Sequence, residues 1–159
     1  MIYKKSWKYI LVKDDILKNY YRPKALRDFS NVPKNHIGGV VKGYNNLSQK
    51  GDCWVYFFAE VTGNAIIKNH AVVTNNAKVT GSAIIADYAQ IKENAKVTGN
   101  AIVINNAVVT NNAKVTGSAI ISDYAQVSKN AIVKNNAVVT NNTKVTGSAI
   151  IDGNTIVSE

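Results

Sequence analysis

From Val61 onward the chain carries one apolar–polar phrase that returns every six residues. Counted in sixes, sixteen hexads run without a break to Ile156, and position 1 is Val or Ile in all sixteen. Position 5 is Ala in fourteen of them and Thr in two, at Thr143 and Thr155. Positions 3 and 4 are mostly Asn, Gly, Asp or Ser, which accept left-handed backbone conformations and so make turns. Positions 5, 6, 1 and 2 are left for a short strand. Side chains alternate along a strand, so positions 5 and 1 point inward while 6 and 2 point outward. The inward pair is one tiny and one β-branched residue, which fits a narrow interior packed near a corner.

A repeat of this period predicts an all-β solenoid. Three hexads close one triangular coil of eighteen residues, stacked on the next at about 4.8 Å. A helical array is excluded: the apolar spacing is four then two, and the Val, Asn and Gly content opposes helix. Val55 and Ala59 keep the register upstream of Val61, and Ile37, Val41, Leu47 and Cys53 fall on inward positions with looser wording. The chain therefore divides into an N-terminal capping element, residues 1–36, and a parallel β-helix, residues 37–159. Within the cap, KYILVK and the stretch from Tyr20 to Phe29 are expected to pair as strands and cover the first coil, since a bare solenoid end invites edge pairing. No comparable cap is legible in IDGNTIVSE, so the last coil is expected to pair end to end or to be covered by a partner.

With 159 residues, two prolines, one methionine and three phenylalanines, one domain is expected, with a core of Val, Ile and Ala. Cys53 is the only cysteine, so neither an intramolecular disulfide nor a cysteine-based zinc site is expected, and this usage suits a reducing cytosol. MIYKKSWKYILV holds no apolar stretch long enough for a signal peptide or a membrane span. A soluble protein of the cytoplasm is expected, without a membrane partner. The net charge of +9 is uneven: residues 1–36 carry nine Lys/Arg against three Asp/Glu, and residues 61–159 eight against five. Such a balance draws anionic partners. No arginine lies beyond Arg27, so the repeats lack bidentate guanine readout, and sequence-specific DNA binding is not expected.

If three hexads make a coil, every third strand shares a face. One face then displays Ile66, Ile84, Ile102, Ile120, Val138 and Ile156 outward, with Ile104 beside them. A stripe of exposed aliphatics marks an interface, so self-association along it is expected. A second face displays Lys78, Lys96 and Lys114, with Thr80, Thr98 and Thr116 in register. Like charges directly opposite on neighbouring strands are costly, which a bridging phosphate would relieve. The competing reading is that exposed lysines merely keep solenoids apart. A third face is mixed: Val72, Gln90, Val108, Gln126 and Lys144. At one corner, position 4 stacks His70, Tyr88, Asn106, Tyr124 and Asn142, where aromatic rings could stack on a base or sugar.

The hexads resemble those of the hexapeptide-repeat family, whose members form left-handed parallel β-helices. The resemblance alone implies the handedness, an exception to the usual right-handed crossover. It also implies side-by-side assembly, with a homotrimer the first choice and a dimer the second. A second resemblance covers residues 25–65, where ALRDFSNV, IGGVV, NLSQKGDCWVY and VTGNA follow in order. This is similar to bacterial and phage proteins of the YdcK type, often labelled acyltransferases. Acyl-transferring members generally use a histidine between subunits together with protruding loops.

Against catalysis, His70 has no carboxylate two to four residues away, and no loop interrupts the repeat around it. Asp87 and Asp123 recur in DYA, and each is expected to cap its own turn. No metal-ligand cluster, phosphate loop or nucleophile motif is present, and no cofactor is expected. Residues 61–96 and 97–132 match at 28 of 36 positions, which makes a ladder of equivalent sites rather than one asymmetric active site. The leading expectation is a non-catalytic oligomer that captures a small anionic ligand such as a signalling nucleotide. In its concrete form it is a phage-encoded sponge acting against host defence. The alternatives are a protein-interaction scaffold and an acyltransferase using His70.

Overall fold

The computed structural model describes residues 6–159. It is a parallel β-solenoid of about 7 turns. Through most of the shaft each strand is two residues long, such as Lys96–Val97 and Ile102–Val103, and occupies positions 6 and 1 of a hexad. Position 3 ends each strand because its backbone turns left-handed, with φ of 59° at Asn105, 57° at Asp123 and 69° at Gly99. Asn, Asp and Gly tolerate that conformation, which accounts for the polar pair in every hexad. At Gly99 the stacking is close, since an added Cβ would lie 2.7 Å from the carbonyl oxygen of Gly117 and 2.9 Å from its nitrogen, and the turns would have to shift to admit it.

Coils are joined by backbone hydrogen bonds along the axis. Lys96 N–H donates to the Ala113 carbonyl at 3.0 Å, and Thr98 N–H to the Val115 carbonyl at 2.9 Å. Pairing is parallel, with Lys96 opposite Lys114, Ile102 opposite Ile120 and Gln90 opposite Val108. Every pair is eighteen residues apart, so hexads three apart share a face, as the period predicts. The result is one nine-stranded and two six-stranded sheets. Inward positions 1 and 5 are fully buried from Val61 to Val139. Burying each Val or Ile there contributes roughly 1.5–3 kcal/mol.

Two longer strands open the fold. β1 (Tyr9–Lys13) and β2 (Tyr21–Ala25) form an antiparallel hairpin, with Tyr9 opposite Ala25 and Lys13 opposite Tyr21. β2 then pairs antiparallel with β3 (Val40–Val41), which in turn pairs parallel with Glu60–Val61. The hairpin thus continues the nine-stranded sheet past the first coil. The interior here is aromatic: Trp54 meets Phe29 edge-on at 5.3 Å and Tyr9 at 6.0 Å between ring centroids. Lys8 is fully buried against it. Its Nζ donates to the carbonyls of Cys53 and Gly51 at 2.9 and 3.1 Å and lies 3.3 Å from the Cys53 sulfur. Burial lowers the pKa of Lys8 and raises that of the Cys53 thiol.

Val41, Leu47 and Cys53 are fully buried on the inward register. Ile37 is the exception and is only half-buried, because it bridges Lys24 at the hairpin edge before the first coil closes. In the last coil the inward positions Ala149 and Thr155 are exposed. Among the described residues no helix is long and apolar enough to cross a membrane.

Candidate ligand-binding surfaces

The lysines and threonines of the second face stand where the register places them. Lys78, Lys96 and Lys114 are consecutive along the nine-stranded sheet and all exposed. They are not equivalent. Lys78 lies 3.2 Å from the Glu60 carboxylate, one coil below. Among the described residues, no carboxylate lies within ion-pair distance of Lys96 or Lys114. The ladder of three therefore reduces to one neutralised lysine and one uncompensated pair. Beside that pair the Thr98 hydroxyl donates to the Thr116 hydroxyl at 3.0 Å, whereas Thr80 stands one coil outside. Lys96, Thr98, Lys114, Thr116, Val115 and Ile132 line one shallow hollow. Ile132 follows Lys114 in register and gives the hollow an apolar end.

His70, Tyr88 and Tyr124 lie elsewhere. Their column runs along the corner between the aliphatic and mixed faces, and in a three-sided coil that corner is opposite the basic face. One protomer cannot bring them to the same ligand as Lys96 and Lys114. The His70 and Tyr88 rings stack with centroids 4.7 Å apart and planes 9° from parallel. No carboxylate lies near His70 in the chain, but its Nδ1 is 3.7 Å from the Asp52 carboxylate, supplied by the coil below. That distance exceeds a hydrogen bond. No wall rises around it: His70 and Tyr88 are both exposed.

Asp87 and Asp123 also act differently from the expectation that each caps its own turn. Asp87 accepts from the Asn69 amide at 2.8 Å and from the Asn105 backbone N–H at 3.1 Å, linking three coils. Asp123 accepts from the Thr140 hydroxyl and, at 3.1 Å, from the Asn141 N–H. These bonds, the Thr140 hydroxyl foremost, hold the Asp123 carboxyl below the usual carboxylate range. The alternating Asn and Asp are thus a brace between coils, which the stacking of equivalent turns makes possible.

The aliphatic stripe is continuous. Ile66 pairs with Ile84, Ile84 with Ile102, Ile102 with Ile120, Ile120 with Val138, and Val138 with Ile156. Ile66 and Ile156 at its ends are exposed, while Ile84, Ile102, Ile120, Val138 and neighbouring Ile104 shield one another to half-burial. Counting back eighteen residues from each charged side chain would have found the partners that a reading by near neighbours missed. Asp52 precedes His70, and Glu60 precedes Lys78, by one coil.

The fold and these surfaces define a class: a parallel β-solenoid with a six-residue period, bearing an uncompensated Lys/Thr patch, an aliphatic face and an aromatic edge. No family model matches the chain, and no curated protein matches it.

Proposed function

We propose that the protein is a non-catalytic, self-associating binder that holds a small anionic ligand of nucleotide-like chemistry on its basic face. The observation carrying this reading is the contrast within the lysine ladder. Lys78 has a carboxylate partner, and Lys96 and Lys114 have none while facing each other across one strand spacing. A bridging phosphate would relieve that repulsion, accept from the threonine hydroxyls, and leave an apolar part of the ligand against Ile132. Self-association is read from the unbroken aliphatic stripe, with a trimer as the first expectation. The motifs in residues 25–65 that resemble YdcK-type proteins of phages and prophages give the reading its concrete form, a phage protein that sequesters a host signalling nucleotide. Acyl transfer through His70 finds less support, because Asp52 is beyond hydrogen-bond reach and no loop walls off a donor pocket.

Native mass spectrometry on protein purified from cells tests the proposal. An oligomer carrying additional small-molecule mass is expected, and that mass should be lost in the Lys96→Ala/Lys114→Ala double variant while the oligomer persists. Equal retention by the double variant would sink the assignment to this face.

A further inference from the structure

The aromatic corner carries a second inference, independent of the basic face. Position 4 of this corner reads His70, Tyr88, Asn106, Tyr124 and Asn142 along the axis. Where two consecutive coils both supply a ring, the rings stack: His70 and Tyr88 lie 4.7 Å apart and 9° from parallel. Rings in contact are separated by about 3.5 Å between planes, so both are tilted to the axis. Tyr88 and Tyr124 belong to copies of one DYA turn, with φ of 58° at Asp87 and 57° at Asp123. They are exposed to nearly the same extent, 59% and 62%. They stand two coils apart, which at the same tilt leaves about 7 Å between their planes. That is the thickness needed for one further ring in contact with both. In the preceding copy of the block this place is filled by His70; here it holds Asn106.

Asn106 fills only the base of the gap. Among the described residues its amide has no hydrogen-bond partner, whereas the Asn column of the next corner is linked coil to coil, as from Asn94 to Asn112 at 3.4 Å. Half-buried Ile104 and Val108 flank it, and Gln90 and Gln126 stand in register on either side of Val108. The nearest carboxylates, Asp87 and Asp123, are already bonded to Asn105 and Asn141. We propose that Tyr88 and Tyr124 form a slot for an uncharged planar heterocycle, sandwiched between the rings with Asn106 reading its edge. The chemistry fits a nucleobase or a similar ring.

Saturation-transfer NMR on the whole chain with adenosine, uridine and riboflavin tests the slot. At least one heterocycle should receive saturation on its ring protons. Tyr88→Ala and Tyr124→Ala should each weaken its binding about tenfold, as expected for loss of one stacking partner. Asn106→His, which restores the residue found at position 70, should close the slot and abolish binding with the melting temperature unchanged. Lys96→Ala/Lys114→Ala should leave this signal intact, so failure of the slot and failure of the basic face are separable. The inference is overturned if no heterocycle receives saturation, or if Asn106→His binds as well as the parent chain.

Discussion

The two ends of this chain solve the same packing problem with opposite materials. Eleven of thirteen aromatic side chains lie before residue 59, leaving only Tyr88 and Tyr124 in the repeats. The first coil and its hairpin close around Trp54, Tyr9 and Phe29, with a buried lysine bonded to carbonyls. From Val61 to Val139 the shaft fills its inward positions with Ala and Val or Ile, each fully buried, and joins its corners through Asn and Asp. An irregular interior needs large side chains to reach across it. A repeated one needs only the same small contact made many times, with identical neighbours above and below. The difference teaches where mutations should act globally and where locally.

The largest effect should come from the irregular end. Trp54→Ala removes a fully buried ring that touches three others, and a loss of about 3–5 kcal/mol is expected in denaturant unfolding. In the shaft the sensitive change is in the other direction. Ala113 is fully buried beside Val115, so Ala113→Leu overfills a coil that has no room, at about 1–3 kcal/mol. Hydrogen exchange should place that damage in the adjacent coils only, since repeats contact their neighbours alone.

pH should separate the two regions. Burial raises the folded-state values of Tyr9 and Cys53 above those of the unfolded chain. Their contribution is complete below the ordinary thiol and phenol ranges and is lost as pH rises from there through the raised values. Lys8 runs the other way, because burial lowers its value and its contribution grows with pH up to the ordinary lysine range. Lys8→Met should therefore steepen the alkaline loss. In the shaft, hydrogen bonds from the Thr140 hydroxyl and the Lys134 ammonium lower the Asp123 and Asp152 carboxyls. Their contribution is present above the ordinary carboxylate range and is lost as pH falls through the lowered values. Melting followed by hydrogen exchange should show the hairpin end opening first at alkaline pH and the shaft corners loosening at acid pH.

The smallest effect bears most on function. If Lys96 and Lys114 repel each other with no anion present, Lys114→Ala should stabilise the free protein by about 0.2–1 kcal/mol at low salt. Lys78→Ala should bring no such gain, because it breaks the pair with Glu60.

The six-residue period made the shaft legible: inward Val and Ala, the three faces and their membership all follow from position in the hexad. That KYILVK pairs with the stretch from Tyr20 was also readable from strand pattern; that they pair antiparallel was not. What stayed hidden is what the period does not encode. Ile37 was placed inward by counting, yet the hairpin displaces it before any coil has closed. The Asp52–His70 and Glu60–Lys78 approaches join residues eighteen apart, beyond the reach of a search among close neighbours in the chain. Whether lysines in a column are compensated depends on the one coil where Glu60 replaces the repeat's usual outward residue. That substitution separates Lys78 from the pair that forms the candidate site.

The most direct test of the account is calorimetric titration of the purified protein with inorganic pyrophosphate at low and high salt. The account predicts binding that weakens as salt screens the contact and that vanishes in Lys96→Ala/Lys114→Ala, with Lys78→Ala close to the parent chain. Absence of binding, or equal binding by the double variant, would contradict it and leave the basic face as a surface that only keeps solenoids apart.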